Sequence, residues 1–188
     1  MSPGLGVLLA LCLGVAGCAQ LPFFQARESG NPEPFEAQGR VYVRYGPQAF
    51  SGTLRWQHAA HADQVWLGGP LGQTVAHIVR NSSGAELTTA DQEVYRATSI
   101  EALTREGLGW SLPLADLSYY VVGQVPPEAA AGERDANGRI VRAAHEGWSV
   151  LWIPLDSQAG TQRVQRIELG KDDVEIRFVV DRLETGAP

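Results

Sequence analysis

The sequence predicts a mainly β domain of about ten antiparallel strands in a strongly curved sheet, with two short helices over its concave mouth and an apolar cavity enclosed between them. Three observations carry this. Apolar residues alternate with polar ones over most of the chain after Phe35, in short segments separated by turn signals at 8–12-residue spacing. Helical signals are confined to one stretch, near residues 98–122. Two short helices cannot cover both faces of so many strands, so a curved sheet with the helices over its concave mouth solves the burial problem.

The elements follow in order. Leu5 to Gly17 form an apolar run too short for a bilayer core, which needs roughly 20 residues. It ends in Val15-Ala16-Gly17-Cys18, the pattern of a secretory signal whose cleavage leaves a cysteine first. That arrangement resembles the lipobox of bacterial lipoproteins, in which Cys18 would be acylated. Residues 1–17 are thus expected to be a signal peptide. Met1-Ser2-Pro3-Gly4 carries no Lys or Arg, unlike the usual start of such a signal, which leaves room for a start further upstream. Residues 18–34 read as a lipidated N-terminus and a Gly-, Pro- and Glu-containing tether, spanning roughly 20 Å as a coil.

The folded domain is expected over residues 35–188. Val41, Val43 and Tyr45 alternate with Arg40, Tyr42 and Arg44; Phe50, Gly52, Leu54 and Trp56 follow the same period. Val65 and Leu67 lead into Gly69-Pro70-Leu71-Gly72, and Val75, His77 and Val79 supply the alternation after it. Thr98 to Glu101 has capping-box spacing for a helix stopping at Gly107. A second helix is expected to take Pro113 as its first residue and to end before Gly123, with Leu114, Leu117 and Tyr120 or Val121 on one face. Strands resume with Trp148, Val150 and Trp152 and finish with Val174, Ile176, Phe178 and Val180.

Composition narrows the function. Without the signal, 171 residues remain, one domain's worth. Cys12 leaves with the signal and Cys18 would be blocked by lipid, so the domain holds together by packing alone. A net charge of −6 argues against nucleic acid and against electrostatic adhesion to anionic lipid. Chemistry finds no support. Ser149 sits in Gly-Trp-Ser-Val-Leu, which lacks the last glycine of a nucleophile elbow. His58 and His61 have His-x-x-His spacing, but in an Ala-rich turn, where they read as solvated histidines and no metal is expected. The glycine-rich Gly69–Thr74 turn lacks the ending of a phosphate loop. No catalytic residue and no cofactor is expected. Leu71 is the one unusual surface residue, a large apolar side chain at a hairpin tip, which either contacts a partner or membrane or folds back over the sheet.

Taken together, the chain resembles the LolB family, the outer-membrane receptors that end lipoprotein sorting in Gram-negative bacteria. The matching residues are Gly39-Arg40, Phe50-Ser51-Gly52, Leu54-Arg55-Trp56, Gly69-Pro70-Leu71-Gly72, Leu108 to Leu114, Leu117, Tyr120 and Glu146-Gly147-Trp148. His145-Glu146 stands where the family often has Gln-Asp, and Tyr120 where it often has Trp. The resemblance implies an incomplete, half-open antiparallel β-barrel of about 10–11 strands capped by short helices over an apolar cavity, in a lipid-anchored protein on the periplasmic face of the outer membrane. It would accept the acyl chains of cargo lipoproteins from the periplasmic carrier LolA and insert the cargo into the inner leaflet, working as a monomer with no nucleic-acid partner. It also implies membrane insertion by Leu71, while Ala19 after the cysteine fits outer-membrane sorting. For the cavity lining the expectation is Val43, Leu54, Trp56, Val65 and Leu67 on the sheet and Leu114 and Leu117 on the lid. The alternatives are a half-barrel lipoprotein for another lipid or glycolipid, or a non-catalytic assembly lipoprotein.

Overall fold

A computed structural model describes residues 32–130, 132–136, 138, 140–155 and 164–186. Cys18, the signal and all but the last three residues of the tether lie outside them. Eleven strands form one antiparallel sheet, whose first six are β1 (Phe35–Tyr45), β2 (Gln48–Ala59), β3 (Ala62–Gly68), β4 (Thr74–Asn81), β5 (Gly84–Thr89) and β6 (Val94–Ala97). Helices α1 (Ile100–Leu108) and α2 (Leu114–Val121) follow. The sheet then resumes with β7 (Glu133–Arg134), β8 (Ile140–His145), β9 (Trp148–Leu155), β10 (Val164–Lys171) and β11 (Val174–Thr185). The order is β6-β5-β4-β3-β2-β1-β11-β10-β9-β8-β7, so the first and last strands of the domain pair centrally and the sheet is not closed. Its edges are the short β6 and the two-residue β7, which limits the unpaired backbone an open sheet presents.

The alternation read from the sequence sets one buried face. Ala37, Val41 and Val43 of β1, Leu54 and Trp56 of β2, Val65 and Leu67 of β3, and Ile176 and Phe178 of β11 all point into one continuous core. A flat sheet of eleven strands would be about 50 Å wide at the usual strand spacing, whereas helices of nine and eight residues are only ~12–14 Å long. Yet residues from Leu87 on β5 to Ala143 on β8 are buried, so the sheet must curl around the helices. The helices bridge the opening. α1 packs on β5 and β6, so closely at Gly107 that a Cβ there would lie 2.9 Å from Leu87. α2 reaches the other side, where the Trp152 indole of β9 donates to the Tyr120 carbonyl at 3.0 Å.

Strand direction gives the half-barrel two distinct rims. One carries the β1–β2, β3–β4, β5–β6, β8–β9 and β10–β11 turns, tied together by Gly46 N–H to the Asp173 carbonyl, Ala90 N–H to the Val75 carbonyl and Lys171 Nζ to the Glu146 carbonyl. The opposite rim carries the start of β1 together with the β2–β3 and β4–β5 turns. Glu146 and Gly147 both have positive φ, the requirement of a tight two-residue hairpin.

Four local expectations are corrected. The N-cap of α1 is Ser99, not Thr98: its hydroxyl accepts from Ala102 N–H, because this phase turns Ile100 and Leu103 inward. The same helix runs past Gly107 and ends at Gly109, whose φ of 83° suits a glycine. Pro113 is the N-cap of α2 rather than its first helical residue. On β4 the core-facing residues are Ala76 and Ile78, while Val75, His77 and Val79 are half-buried on the outer face. The β3–β4 ladder shifts register between Leu67 and Gly68, which resets the face after the turn.

Candidate functional site

The interior is built from cross-strand pairs. Leu54 lies opposite Leu67 and Trp56 opposite Val65, each pair pointing inward. Val43 from β1 and Leu114 and Leu117 from the first turn of α2 complete the set named from the sequence, and all seven are buried. The structure brings them into one core with residues outside that set, among them Ile78, Leu87, Leu103, Leu112 and Phe178. Their period-2 and helical spacing was the signal available for them.

The lid is held to β9 by Tyr120 and Trp152, whose rings meet edge-to-face at 5.6 Å. The Tyr120 hydroxyl is buried with no partner among the described residues. Burial, with smaller contributions from Asp116 and Glu146, raises its pKa well above the usual phenol value. An orphaned hydroxyl inside an apolar core costs about 1–3 kcal/mol. Next to it, Asp116 of α2 lies 3.9 Å from Nε2 of His145 at the rim, with Glu146 close by. Burial raises the Asp116 pKa against the pull of His145, and Glu146 adds to the rise. Nothing in the sequence signalled this contact, since its partners are far apart in the chain.

The rim where the domain begins is closed by a polar cluster. Asp63 accepts from the Trp56 indole at 2.9 Å, lies 2.7 Å from Nδ1 of His58, and receives Nε of Arg80 at 2.5 Å. Burial pushes the Asp63 pKa up, but its bonds to His58 and Trp56 and the charge of Arg80 outweigh this and leave it lowered. The Phe35 ring stacks on His58 at 4.8 Å and meets Trp56 edge-on at 5.0 Å. His58 is therefore not a solvated turn residue: it is a buried member of β2, while His61 is exposed in the turn as expected. The polar end of Trp56 is satisfied here, which leaves its apolar ring to the core.

The opposite rim carries the β3–β4 loop. Gly69 N–H donates to the Gln73 carbonyl at 2.8 Å and Gly72 N–H to the Gly69 carbonyl at 3.0 Å, closing residues 69–73 into a tight turn. Gly72 has a φ of 82°, which a side chain would strain. At its apex Leu71 is 93% exposed, so it does not fold back over the sheet. Leaving a leucine side chain in water forgoes about 1.5–3 kcal/mol of burial.

Elsewhere, Ser149 is exposed and its hydroxyl donates to the Gly170 carbonyl across the β9–β10 pair, a strand contact rather than an activated nucleophile. No described helix is long and apolar enough to cross a membrane.

Comparison with known proteins agrees with this geometry. The family model for outer membrane lipoprotein LolB matches residues 33–182. The outer-membrane lipoprotein LolB of Nitrosomonas europaea is 39% identical over 153 residues, covering 80% of this chain and 72% of its own. That of Thiobacillus denitrificans is 35% identical over 183 residues, covering 94% and 95%, and that of Chromobacterium violaceum 31% over 177 residues, covering 93% and 95%.

Proposed function

The chain belongs to the LolB family, and from that premise we propose that it is an outer-membrane lipoprotein that takes lipoproteins from the carrier LolA and inserts them into the membrane. It acts as a receptor, not an enzyme. In this reading Cys18 carries the anchor, acyl chains of the cargo occupy the interior, and Leu71 enters the bilayer. Fatty-acid labelling that survives Cys18→Ser would remove the anchor from this account.

The packing suggests how transfer runs without a nucleotide. The interior is filled by the protein's own side chains, including Trp56, Tyr120, Leu114 and Leu117. An acyl chain must displace them by shifting the lid, and the free energy of opening is subtracted from its affinity. A bilayer offers about 0.8 kcal/mol per buried CH₂ with no such subtraction. Cargo therefore moves downhill from protein to membrane, and the core recloses behind it. The Asp63 cluster closes one rim with charges that hydrocarbon would not solvate, so the acyl chains enter away from it.

The single observation that carries delivery is Leu71, 93% exposed on a hydrogen-bonded loop at the rim opposite the start of the domain. The residues between Cys18 and Phe35 reach up to ~50 Å when extended, enough for anchor and tip to meet one bilayer. Leu71→Glu is expected to leave stability and uptake from the carrier intact and to stop insertion into liposomes, because a charge is expensive in hydrocarbon. Leu71→Phe or Leu71→Ile should retain much of the activity. Vesicle flotation of the cargo measures it, and wild-type insertion by Leu71→Glu would remove Leu71 from the mechanism.

A further inference from the structure

A depression of about 390 Å³ opens on the outer side of β11, β1, β2 and β3, and Gly68, Gly72 and Thr74 at the base of the Leu71 loop form part of its wall. Thr53, Arg55, Trp66, Asp181 and Arg182 supply its side chains. The arginines are held in place. Nε of Arg55 donates to Glu36 at 3.0 Å, and its guanidinium lies 5.1 Å from the centre of the Trp66 ring. Trp66 in turn stacks on His77 at 4.9 Å. Glu36 is held near a pKa of about 2 by its bonds from Arg55, Gln38 and Gln57, so it remains a carboxylate. The terminal amines of Arg55 have no acceptor among the described residues. Arg182 is oriented in the same way by Glu184, bonded through Nε at 2.7 Å. Asp181 also lines the depression; it accepts from Arg40 at 2.9 and 3.2 Å, one bond to each oxygen, so a carboxylate's further lone pairs are left over.

Arg40, Arg55 and Arg182 balance Glu36, Asp181 and Glu184, so the site has both signs and no net charge. A simple anion gains little from such a site. A zwitterion gains at both ends. We infer that the depression binds the phosphoethanolamine headgroup of a phospholipid, with the phosphate on Arg55 and Arg182 and the ammonium on Asp181. The guanidinium fork suits phosphate oxygens, and the Thr53 and Thr74 hydroxyls add neutral donors. Position selects a lipid over a free solute. Thr74 is three residues from Leu71, at most ~11 Å along the chain, and the polar layer of a bilayer is ~5–8 Å deep. With Leu71 in hydrocarbon, the Thr74 edge of the depression stands at headgroup depth, and Arg55 and Arg182, level with Trp66 five residues from Leu71, lie on the water side of that edge. The inference rests on the insertion of Leu71 proposed above.

Two measurements on the intact chain test it. In the first, glycerophosphoethanolamine is titrated against the protein, and the Trp66 indole and the Thr53 and Thr74 amides are followed by NMR. Saturable shifts are expected in wild type and in Leu71→Glu alike, weakened about fivefold or more in Arg55→Gln/Arg182→Gln, with inorganic phosphate weaker by a similar factor. No saturable shift, wild-type affinity in the double variant, or equal binding of inorganic phosphate overturns the headgroup site. In the second, the anchored chain sits in phosphatidylethanolamine nanodiscs, and nuclear Overhauser effects are sought from headgroup methylene protons to the same groups. They are expected in wild type and lost in Arg55→Gln/Arg182→Gln. Their absence in wild type overturns the inference. In Leu71→Glu they should vanish while the titration persists. If they persist there too, the insertion of Leu71 fails and the headgroup site stands on its own.

Discussion

The two helices cover the same half-barrel by different means, and the difference marks α2 as the better candidate for the lid movement proposed above. α1 has a hydroxyl cap at Ser99, Glu101 in its first turn, Arg105 in its last, and a left-handed glycine at Gly109. It packs on β5 and β6 closely enough that a Cβ at position 107 would lie 2.9 Å from the Leu87 side chain and 3.2 Å from the Tyr95 ring, so a larger residue there forces them to shift. α2 starts at Pro113 with no side-chain cap and has no basic residue in its last turn. It reaches the sheet through long side chains, and one of these, Tyr120, buries an unpaired hydroxyl. α1 is built as part of the frame. α2 lacks the terminal caps of α1, which is what the lid movement proposed above needs.

The largest expected effect tests this division directly. Leu103 of α1 and Leu117 of α2 are buried to the same degree. Leu103→Ala should cost about 3–5 kcal/mol in chemical denaturation, since the fixed frame around it cannot collapse, and Leu117→Ala about 2 kcal/mol, since a mobile lid can settle into the gap. Equal costs would mean that both helices belong to one rigid core. Next comes the joint between them. Thr104 is fully buried, its hydroxyl donating to the Ile100 carbonyl at 2.9 Å and accepting from Leu112 N–H at 2.9 Å just before α2. Thr104→Val strands that N–H and should cost about 1–3 kcal/mol. It should also speed uptake of a fluorescent fatty acid, and unchanged uptake would show that the joint does not restrain the lid. The smallest effect has the opposite sign. Tyr120→Phe removes the orphaned hydroxyl while keeping the ring on Trp152, so thermal melts should show a gain of about 1 kcal/mol, the low end of its burial cost, and cargo uptake should slow. Loss of stability instead would mean that the hydroxyl has a partner and that α2 is fixed as firmly as α1.

The sequence by itself determined the architecture. Alternation in β1, β2, β9 and β11 committed one face to the core, the turn residues fixed antiparallel neighbours, and Leu71 stood out because glycines and a proline surround it. The seven residues expected to line the cavity are all buried, since burial is what the period-2 and helical spacings encode, while their contact with cargo belongs to the proposed function. Only the tertiary structure decided the rest. The face of β4 turned on a register shift that leaves no mark in composition. Ser99 prevailed over Thr98 because packing on β5 set the phase of α1. His58 became a buried partner of Asp63 when β2 and β3 paired, and Asp116 met His145 when the sheet curled. The headgroup-sized depression draws its walls from β11, β1, β2 and β3, which meet only because the last strand closes on the first. Periodicity is a local property of a chain and can be read along it. Contacts between distant strands depend on register and curvature, which are settled only when the whole sheet forms.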